Sequence, residues 1–489
     1  MKKLFTTICL VFGCMLTVSA EETLLPLIQN VQAYESISLN GEWNYIVDVQ
    51  EEGYYDYRMN PTPWGFFRNA KPQRPEDLIE YDFDKSPTMH IPGDWNTQDE
   101  RLFFYEGTVW FKKSFQLPSS KEEKSGVETN HRRLLYFGAV NYDCHVWVNS
   151  KKVGHHIGGF TPFNFDVTDL LKEGENIIIV KVDNKRHAED VPTQIFDWWN
   201  YGGITRDVRL VKVPTAFFGN STEVASQERS LASVATPSYI EDYSLQLMKG
   251  EVKDKQRKIL VKVQLSEPLE GHLITVNIPE LKLSLPLLTN AKGWASDIIS
   301  VPAKKLSLWS PDNPKCYRVE IKHYMTNIAD SIGFRTIETR GKQILLNGQP
   351  IFLKGISIHN EKPNGGGRAN SAEDAYTLLS WAKELGCNFV RLAHYPHHEE
   401  MVREAEKMGI LVWSEIPVYW TIAWKNRKTY ENAQNQLRDM ISRDHNRANV
   451  IIWSIANETP HSKERDTFLG NLAKYARSLD DYRLISLAM

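Results

Sequence analysis

From about residue 21 to 213 apolar and polar residues alternate in short runs set off by turn residues, as in Thr108 to Leu117 (TVWFKKSFQL), Leu134 to Val148 and Asn176 to Val182. A period of two puts every second side chain on one face, so these runs predict the strands of an antiparallel sandwich. Asn149-Ser150 stands between two such arms in VWVNSKKVG and predicts a hairpin turn. The alternation lapses over 219 to 240 and returns in ILVKVQLSEP, HLITVNIPELKLSLPLL and CYRVEIKHYM, which predicts a second, smaller sandwich over 214–335.

Past residue 336 the period changes. Apolar runs of strand length (Phe352 to His359, Asn388 to His394, Ile410 to Ile416, Val450 to Asn457 and Leu484 to Met489) now alternate with amphipathic stretches of helix length such as Ala372 to Leu385 and Glu399 to Met408. Near-continuous apolar strands separated by helices imply a parallel sheet with helices on its faces. His359, Arg391 with His394, Glu415, and Asn457 with Glu458 stand at the C-terminal ends of four successive strands. That placement favours a (β/α)8 TIM barrel, whose active site lies at this face, over a doubly wound sheet. No GxGxxG or GxxxxGK[ST] loop opens any of these helices, which argues against a nucleotide cofactor.

Length and composition narrow the picture. A chain of 489 residues sets a prior of about three domains. Lys+Arg 58 against Asp+Glu 61, without a dense basic block, argues against nucleic acid as a partner. The 14 Trp and 20 Tyr suit stacking on sugar rings, although large aromatics serve mainly as core. Lys2 and Lys3, the apolar run Leu4 to Val18 and the small residues Val18-Ser19-Ala20 read as a cleavable signal over 1–20. A secreted or periplasmic protein is expected; lipidation at Cys14 is the alternative. No later apolar run is long enough to span a membrane. Cys144, Cys316 and Cys387 are scattered and odd in number, so neither a disulfide framework nor a zinc site is expected.

The strongest local signal is VIIWSIANETP, an apolar strand ending in Asn457-Glu458. A carboxyl group on an apolar rim has its neutral form favoured, as a general acid requires, while the amide of Asn457 can bind a substrate hydroxyl. A strand-end Glu paired with a neighbouring Arg is the competing account. Glu415 reads first as a partner for Arg391 or His394, and only second as a catalytic group. His394, His397 and His398 lack a spaced carboxylate or cysteine set to complete a metal shell, and His397 and His398 fit exposed loop positions equally well.

These segments together resemble glycoside hydrolase family 2, the family of β-galactosidases, β-glucuronidases and β-mannosidases. The likeness rests on ILLNGQPIFLKGISIH, RLAHYP, GILVWSEIP and NVIIWSIANE in the last third. NGEWNY, IPGDWN, YEGTVWFKKSF, FDWWNYGGITRDVRLVKV and LWSPDNPKCYRVE extend it over the rest. The resemblance implies a multidomain fold: a sugar-binding-like jelly-roll β-sandwich over 21–213, an immunoglobulin-like β-sandwich over 214–335, and the N-terminal part of a catalytic TIM barrel over 336–489. It implies a retaining exo-β-glycosidase acting on a β-linked glycoside or oligosaccharide through two carboxylates about 5 to 5.5 Å apart.

Glu458 matches the acid/base, and Asn457 the residue that holds the 2-hydroxyl. His359, Arg391 and His394 match positions that line the sugar pocket or orient the carboxylates. Asp197 matches an aspartate that the first domain projects into the barrel mouth. The third strand reads SEIPVYW and lacks the Glu-x-His that resembles a magnesium site in large β-galactosidases, so no metal and no cofactor is expected there. Five barrel strands fall short of eight, and no residue matches the family's nucleophile, so a truncated barrel without turnover of its own is expected. The rival account is a non-catalytic carbohydrate-binding or scaffold protein built on the same fold. Sugar, linkage and oligomeric state, a homo-oligomer included, stay open.

Overall fold

The computed structural model describes residues 26–56, 58–61, 74, 76, 82–118, 131–214, 238–250, 255–324 and 326–489. The expected signal segment 1–20 and most of the low-pattern stretch 219 to 240 lie outside them. The early alternation forms a six-stranded antiparallel sheet built from β1 (Gly41–Asp48), β2 (Thr88–Ile91), β3 (Thr108–Leu117), β4 (Asp143–Val148), β5 (Lys151–Ile157) and β6 (Gly174–Asp183). Their order across the sheet is β2-β1-β3-β6-β4-β5. A four-stranded sheet containing His131–Phe137 and Val208–Pro214 packs against it.

Alternate residues such as Val109, Phe111, Val146, Val180 and Leu210 fill the space between the two sheets. Trp110 and Trp147 lie on the outer face, where Tyr54, Phe83 and Ile179 bury them in a second cluster. Six tryptophans, Trp43, Trp95, Trp110, Trp147, Trp309 and Trp453, are among the largest fully buried side chains and are therefore core rather than sugar platforms. The run Leu134 to Val148 is broken into three strands, because the chain crosses from one sheet to the other at Val140–Asn141. Asn149 and Ser150 adopt φ 48° and 67°, the paired left-handed conformations that a two-residue hairpin turn requires.

Residues 240–333 form two smaller antiparallel sheets of three and four strands. Ile259, Val261, Val263, Ile274, Val276, Val319 and Ile321 meet between them, and the same apolar cluster continues into Tyr136, Val211 and Val213 of the first body. The region after 336 opens with a three-stranded meander over Ile337–Arg340, Gln343–Leu346 and Gln349–Ile351. Ile337 and Leu346 of this meander pack with Leu411, Ile451 and Ile452.

Five parallel strands follow in sequential order: β7 (Gly355–Ile358), β8 (Phe389–Leu392), β9 (Leu411–Glu415), β10 (Val450–Asn457) and β11 (Leu484–Ala488). Between them run α1 (Ala372–Glu384), α2 (Glu399–Lys407), α3 (Arg427–Asp444) and α4 (Lys463–Leu479). Every residue of β10 is buried, which is why its sequence is apolar on both faces. The sheet does not close on itself among the described residues, leaving β7 and β11 as edges. No helix among them is long and apolar enough to cross a membrane.

Helix α3 reads as polar, yet it seats the first body on the barrel. Thr429 Oγ1 donates to Glu189 O and Gln436 Nε2 to Val191 O, at 2.6 and 2.8 Å, while Asn432 Nδ2 donates to the Tyr142 hydroxyl. These bonds tie the helix to the backbone of the loop at Glu189 and Val191. They hold the segment that leads to Asp197.

Candidate active site

At the C-terminal ends of β8, β9 and β10 the chain builds one connected polar cluster. The carboxylate of Glu415 is fully buried and accepts four kinds of donor: Arg391 Nη2 at 2.8 and 2.9 Å, His394 Nδ1 at 2.9 Å, Trp413 Nε1 at 3.0 Å and Ser454 Oγ at 2.8 Å. Burial alone pushes its pKa up. The hydrogen bonds from His394 and Arg391, with the guanidinium charge, outweigh burial and hold it below the ordinary carboxylate value. With its oxygens so occupied, Glu415 orients Arg391 and His394.

Arg391 Nη2 also donates to Asn457 Oδ1 at 2.6 Å. The oxygen end of the Asn457 amide is thereby fixed, and its Nδ2 is buried with no hydrogen-bond partner among the described residues. A buried donor without a partner costs about 1–3 kcal/mol unless water or a ligand meets it.

Glu458 follows in a left-handed conformation, φ 48°, and Trp420 across from it has φ 50°. Non-glycine residues held at positive φ store roughly 1–3 kcal/mol of strain and cluster at ligand-binding positions. The backbone is held from both sides: Asn457 N donates to Val418 O, Trp420 N to Asn457 O, and Glu458 N to Ala488 O. The turn throws the Glu458 carboxyl out of the sheet. It is exposed, not set in an apolar rim as its neighbours in sequence imply, and Trp420 Nε1 donates to its Oε2 at 3.1 Å.

Asp197 arrives from the first body and is exposed. Thr193 Oγ1, just before it, donates to Thr421 O at 3.2 Å. The Asp197 carboxylate takes a hydrogen bond from the Tyr419 hydroxyl; burial first, and then this bond and the charges of Asp197 and Glu458, raise the phenol's pKa. Tyr419 thus lies between the carboxylates of Asp197 and Glu458. Trp198 packs its ring 5.0 Å from Tyr419 and 6.0 Å from His394. His359 lies against the same group, its ring 5.4 Å from His394 and its Nδ1 3.4 Å from the Tyr395 hydroxyl. Burial, then the charge of His394, lower its pKa, so it is held neutral.

All seven residues singled out in the sequence therefore meet at one mouth. Trp198, Tyr419, Trp420 and Tyr395 pack with them and carry no spacing signal of their own. They stand in FDWW, RLAHYP and SEIPVYW, but aromatic residues in such numbers do not separate site from core. His397 and His398 are not exposed loop residues. His397 is fully buried, its Nε2 3.0 Å from Ala393 O, and burial pushes its pKa down to about 3. His398 caps α2 by accepting from Glu400 N. Both are enclosed because the first body, through Arg206 and its bond to Pro396 O at 2.7 Å, covers their loop.

A cavity of about 420 Å³ lies away from this mouth, between the first body and the start of α2. Its charges are already paired, Arg443 with Asp444 and Glu399 with Arg403, so it is not the site.

The first body and the barrel region both match models of one family. Residues 37–214 match the sugar binding domain of glycosyl hydrolases family 2, and residues 337–488 its TIM barrel domain. The chain belongs to glycoside hydrolase family 2. It is 29% identical over 415 residues to a provisionally named beta-glucuronidase of Formosa agariphila, covering 81% of this chain and 47% of that protein. It is 27% identical over 430 residues to a beta-galactosidase of Thermoanaerobacter pseudethanolicus, covering 84% and 53%. The solved beta-glucuronidase of an uncultured Clostridium sp. superposes with a TM-score of 0.72 at 26% identity, covering 96% of this chain and 74% of that one. The chain spans about half the length of the first two relatives.

One consequence of the geometry is measurable in the full-length protein. Trp420→Phe keeps a ring but removes the donor to Glu458. It is expected to lower kcat on unactivated glycosides about 10-fold, or about 1.4 kcal/mol, with the thermal midpoint unchanged. An unchanged kcat would show that the indole does not position the carboxyl.

Proposed function

We propose that the protein is a retaining exo-β-glycosidase that removes a terminal β-linked sugar, glucuronic acid in the first place, from a glycoside or oligosaccharide. The observation that carries this reading is the pairing of Asn457 with Glu458. Arg391 ties up the amide oxygen and leaves a buried N–H with no partner among the described residues, one residue from an exposed carboxyl that Trp420 holds. A donor of that kind suits the oxygen of a sugar hydroxyl beside the anomeric centre, and the neighbouring carboxyl can then protonate the departing glycosidic oxygen.

Asp197 and Tyr419 form the far wall, where a carboxylate accepts from further hydroxyls. Trp198 offers an aromatic face, and His359 and His394 line the floor. Glu415 positions Arg391 and takes no part in bond making. Retention needs a second carboxylate on the opposite face of the sugar, about 5–5.5 Å from the first, and no described residue is assigned that role. The relatives named above divide between beta-glucuronidase and beta-galactosidase, which makes β-galactose the second reading.

The sandwich over residues 240–333 fits an immunoglobulin-like domain. The basic, apolar and small-residue order of 1–20 supports export to the periplasm or the medium.

The test is turnover of nitrophenyl β-glucuronide and β-galactoside by the full-length protein; no turnover of either would leave the carbohydrate-binding or scaffold reading. Asp197→Ala is expected to cut kcat/KM at least about 10-fold while stability stays within about 0.5 kcal/mol, since an exposed loop carboxylate contributes little to the core. A lowered midpoint with normal kcat/KM in the folded fraction would make Asp197 structural.

A further inference from the structure

The outer face of the six-stranded sheet carries a second chemical cluster, remote in sequence from the barrel mouth. Asp143 and His145 are two residues apart on β4 and so share a face. His155 of β5 lies directly opposite His145. An uninterrupted hairpin about Asn149-Ser150 would instead pair His155 with Cys144 and turn it toward the core. The register shifts between Val146↔Gly154 and Trp147↔Lys152, so one extra residue, Val153, enters β5 and reverses the facing of the remainder. His156 then points inward, its ring stacked 4.1 Å from Phe163, and His155 joins Asp143 and His145 outside.

There the Nε2 atoms of His155 and His145 approach the same Oδ1 of Asp143, at 2.9 and 3.3 Å. All three potential ligand atoms lie within 4.8 Å of one another. Atoms each about 2.1 Å from a shared ion stand roughly 3.0 Å apart at octahedral angles and roughly 3.4 Å at tetrahedral ones. The two imidazoles lie nearly parallel, centroids 4.1 Å apart, so both rings must rotate for their Nε2 lone pairs to meet at one ion.

We propose that Asp143, His145 and His155 bind one divalent transition-metal ion of the zinc class, clamping β4 to the edge strand β5. The donor set decides the class. Two imidazoles and one carboxylate suit Zn²⁺, Co²⁺, Ni²⁺ or Cu²⁺, whereas Ca²⁺ and Mg²⁺ require shells made of oxygen. Cys144 is fully buried in the core between the sheets and supplies no thiolate. The side chains of His155 and Asp143 are 31% and 35% exposed, which gives the ion a route in and leaves room for water to complete its shell.

Lys181 faces His145 from β6, but its Nζ stands 3.7 Å from Glu51 Oε1, so its charge is offset. The Tyr54 ring, 4.8 Å from His145, backs the site. An ion bridging β4 and β5 would stiffen the exposed edge of the sheet, where a strand otherwise offers unpaired backbone groups.

The experiment is titration of the chelator-treated full-length protein with Co²⁺, followed by its visible d–d absorption, by calorimetry and by thermal midpoint, with Zn²⁺ as competitor. One equivalent of Co²⁺ is expected, displaced by Zn²⁺ and accompanied by a higher midpoint. His155→Gln and Asp143→Asn are each expected to weaken binding by more than the roughly 10- to 100-fold cost of losing an outer hydrogen-bond partner to a metal ligand, with metal-free circular dichroism unchanged. His461→Ala, at an exposed histidine elsewhere, is expected to bind as the parent does. No saturable binding, or full-affinity binding in both Asp143→Asn and His155→Gln, would overturn the proposal.

Discussion

Glu458→Gln is expected to lower turnover of unactivated β-glycosides by roughly 10²–10⁴-fold, the usual weight of a positioned general acid. The same change should cost less than about 10-fold on substrates whose leaving group is a good one, because little protonation is needed for such a group to depart. The structure gives this expectation its basis. The carboxyl is turned outward by a left-handed residue, held by the Trp420 indole, and stands next to a buried amide whose donor has no partner among the described residues. Gln preserves size and the hydrogen bond to the indole but cannot give up a proton as a carboxylic acid does. Paired kcat/KM values for an alkyl and a nitrophenyl glycoside decide the matter, and equal losses on both would remove Glu458 from the acid role.

Glu415→Gln is expected to destabilise the fold by about 3–5 kcal/mol, since it leaves the Arg391 guanidinium part-buried without its counter-charge. It should also lower kcat, because Arg391 would no longer be held in place to fix Asn457. The effect has a pH signature. The folded-state pKa of Glu415 lies below its ordinary value of 4.5, so the carboxylate's contribution is complete above that value. It is lost as pH falls from there through the lower folded value. The parent's thermal midpoint should therefore fall more steeply than the variant's below about pH 4.5, and the two should converge at acid pH. A midpoint that matches the parent at neutral pH, with the same acid slope, would show that the Arg391–Glu415 pair carries no stability.

Much of this was readable in advance because strand-end chemistry and periodicity are local. An apolar run such as VIIWSIAN must be buried on both faces, so it must be an interior strand of a parallel sheet. The residues that follow it must then emerge at the C-terminal face of the sheet. That rule picks out Glu458, Asn457, Glu415, Arg391, His394 and His359 as strand-end candidates, and the family likeness of FDWW adds Asp197.

Local pattern fails wherever the backbone departs from regular geometry or a distant body closes over it. The left-handed turns at Trp420 and Glu458 decide which way those side chains face, and they are held by hydrogen bonds to Val418 and Ala488 that no short window contains. His397 lies in a polar-looking loop, yet it is enclosed because Arg206, 191 residues earlier, bonds to the backbone beside it. The extra residue Val153 shows the same limit at its smallest scale. Alternation assigns His155 to the core and His156 to solvent, and one bulge exchanges them, because the facing of a strand depends on a register that only its partner strand sets.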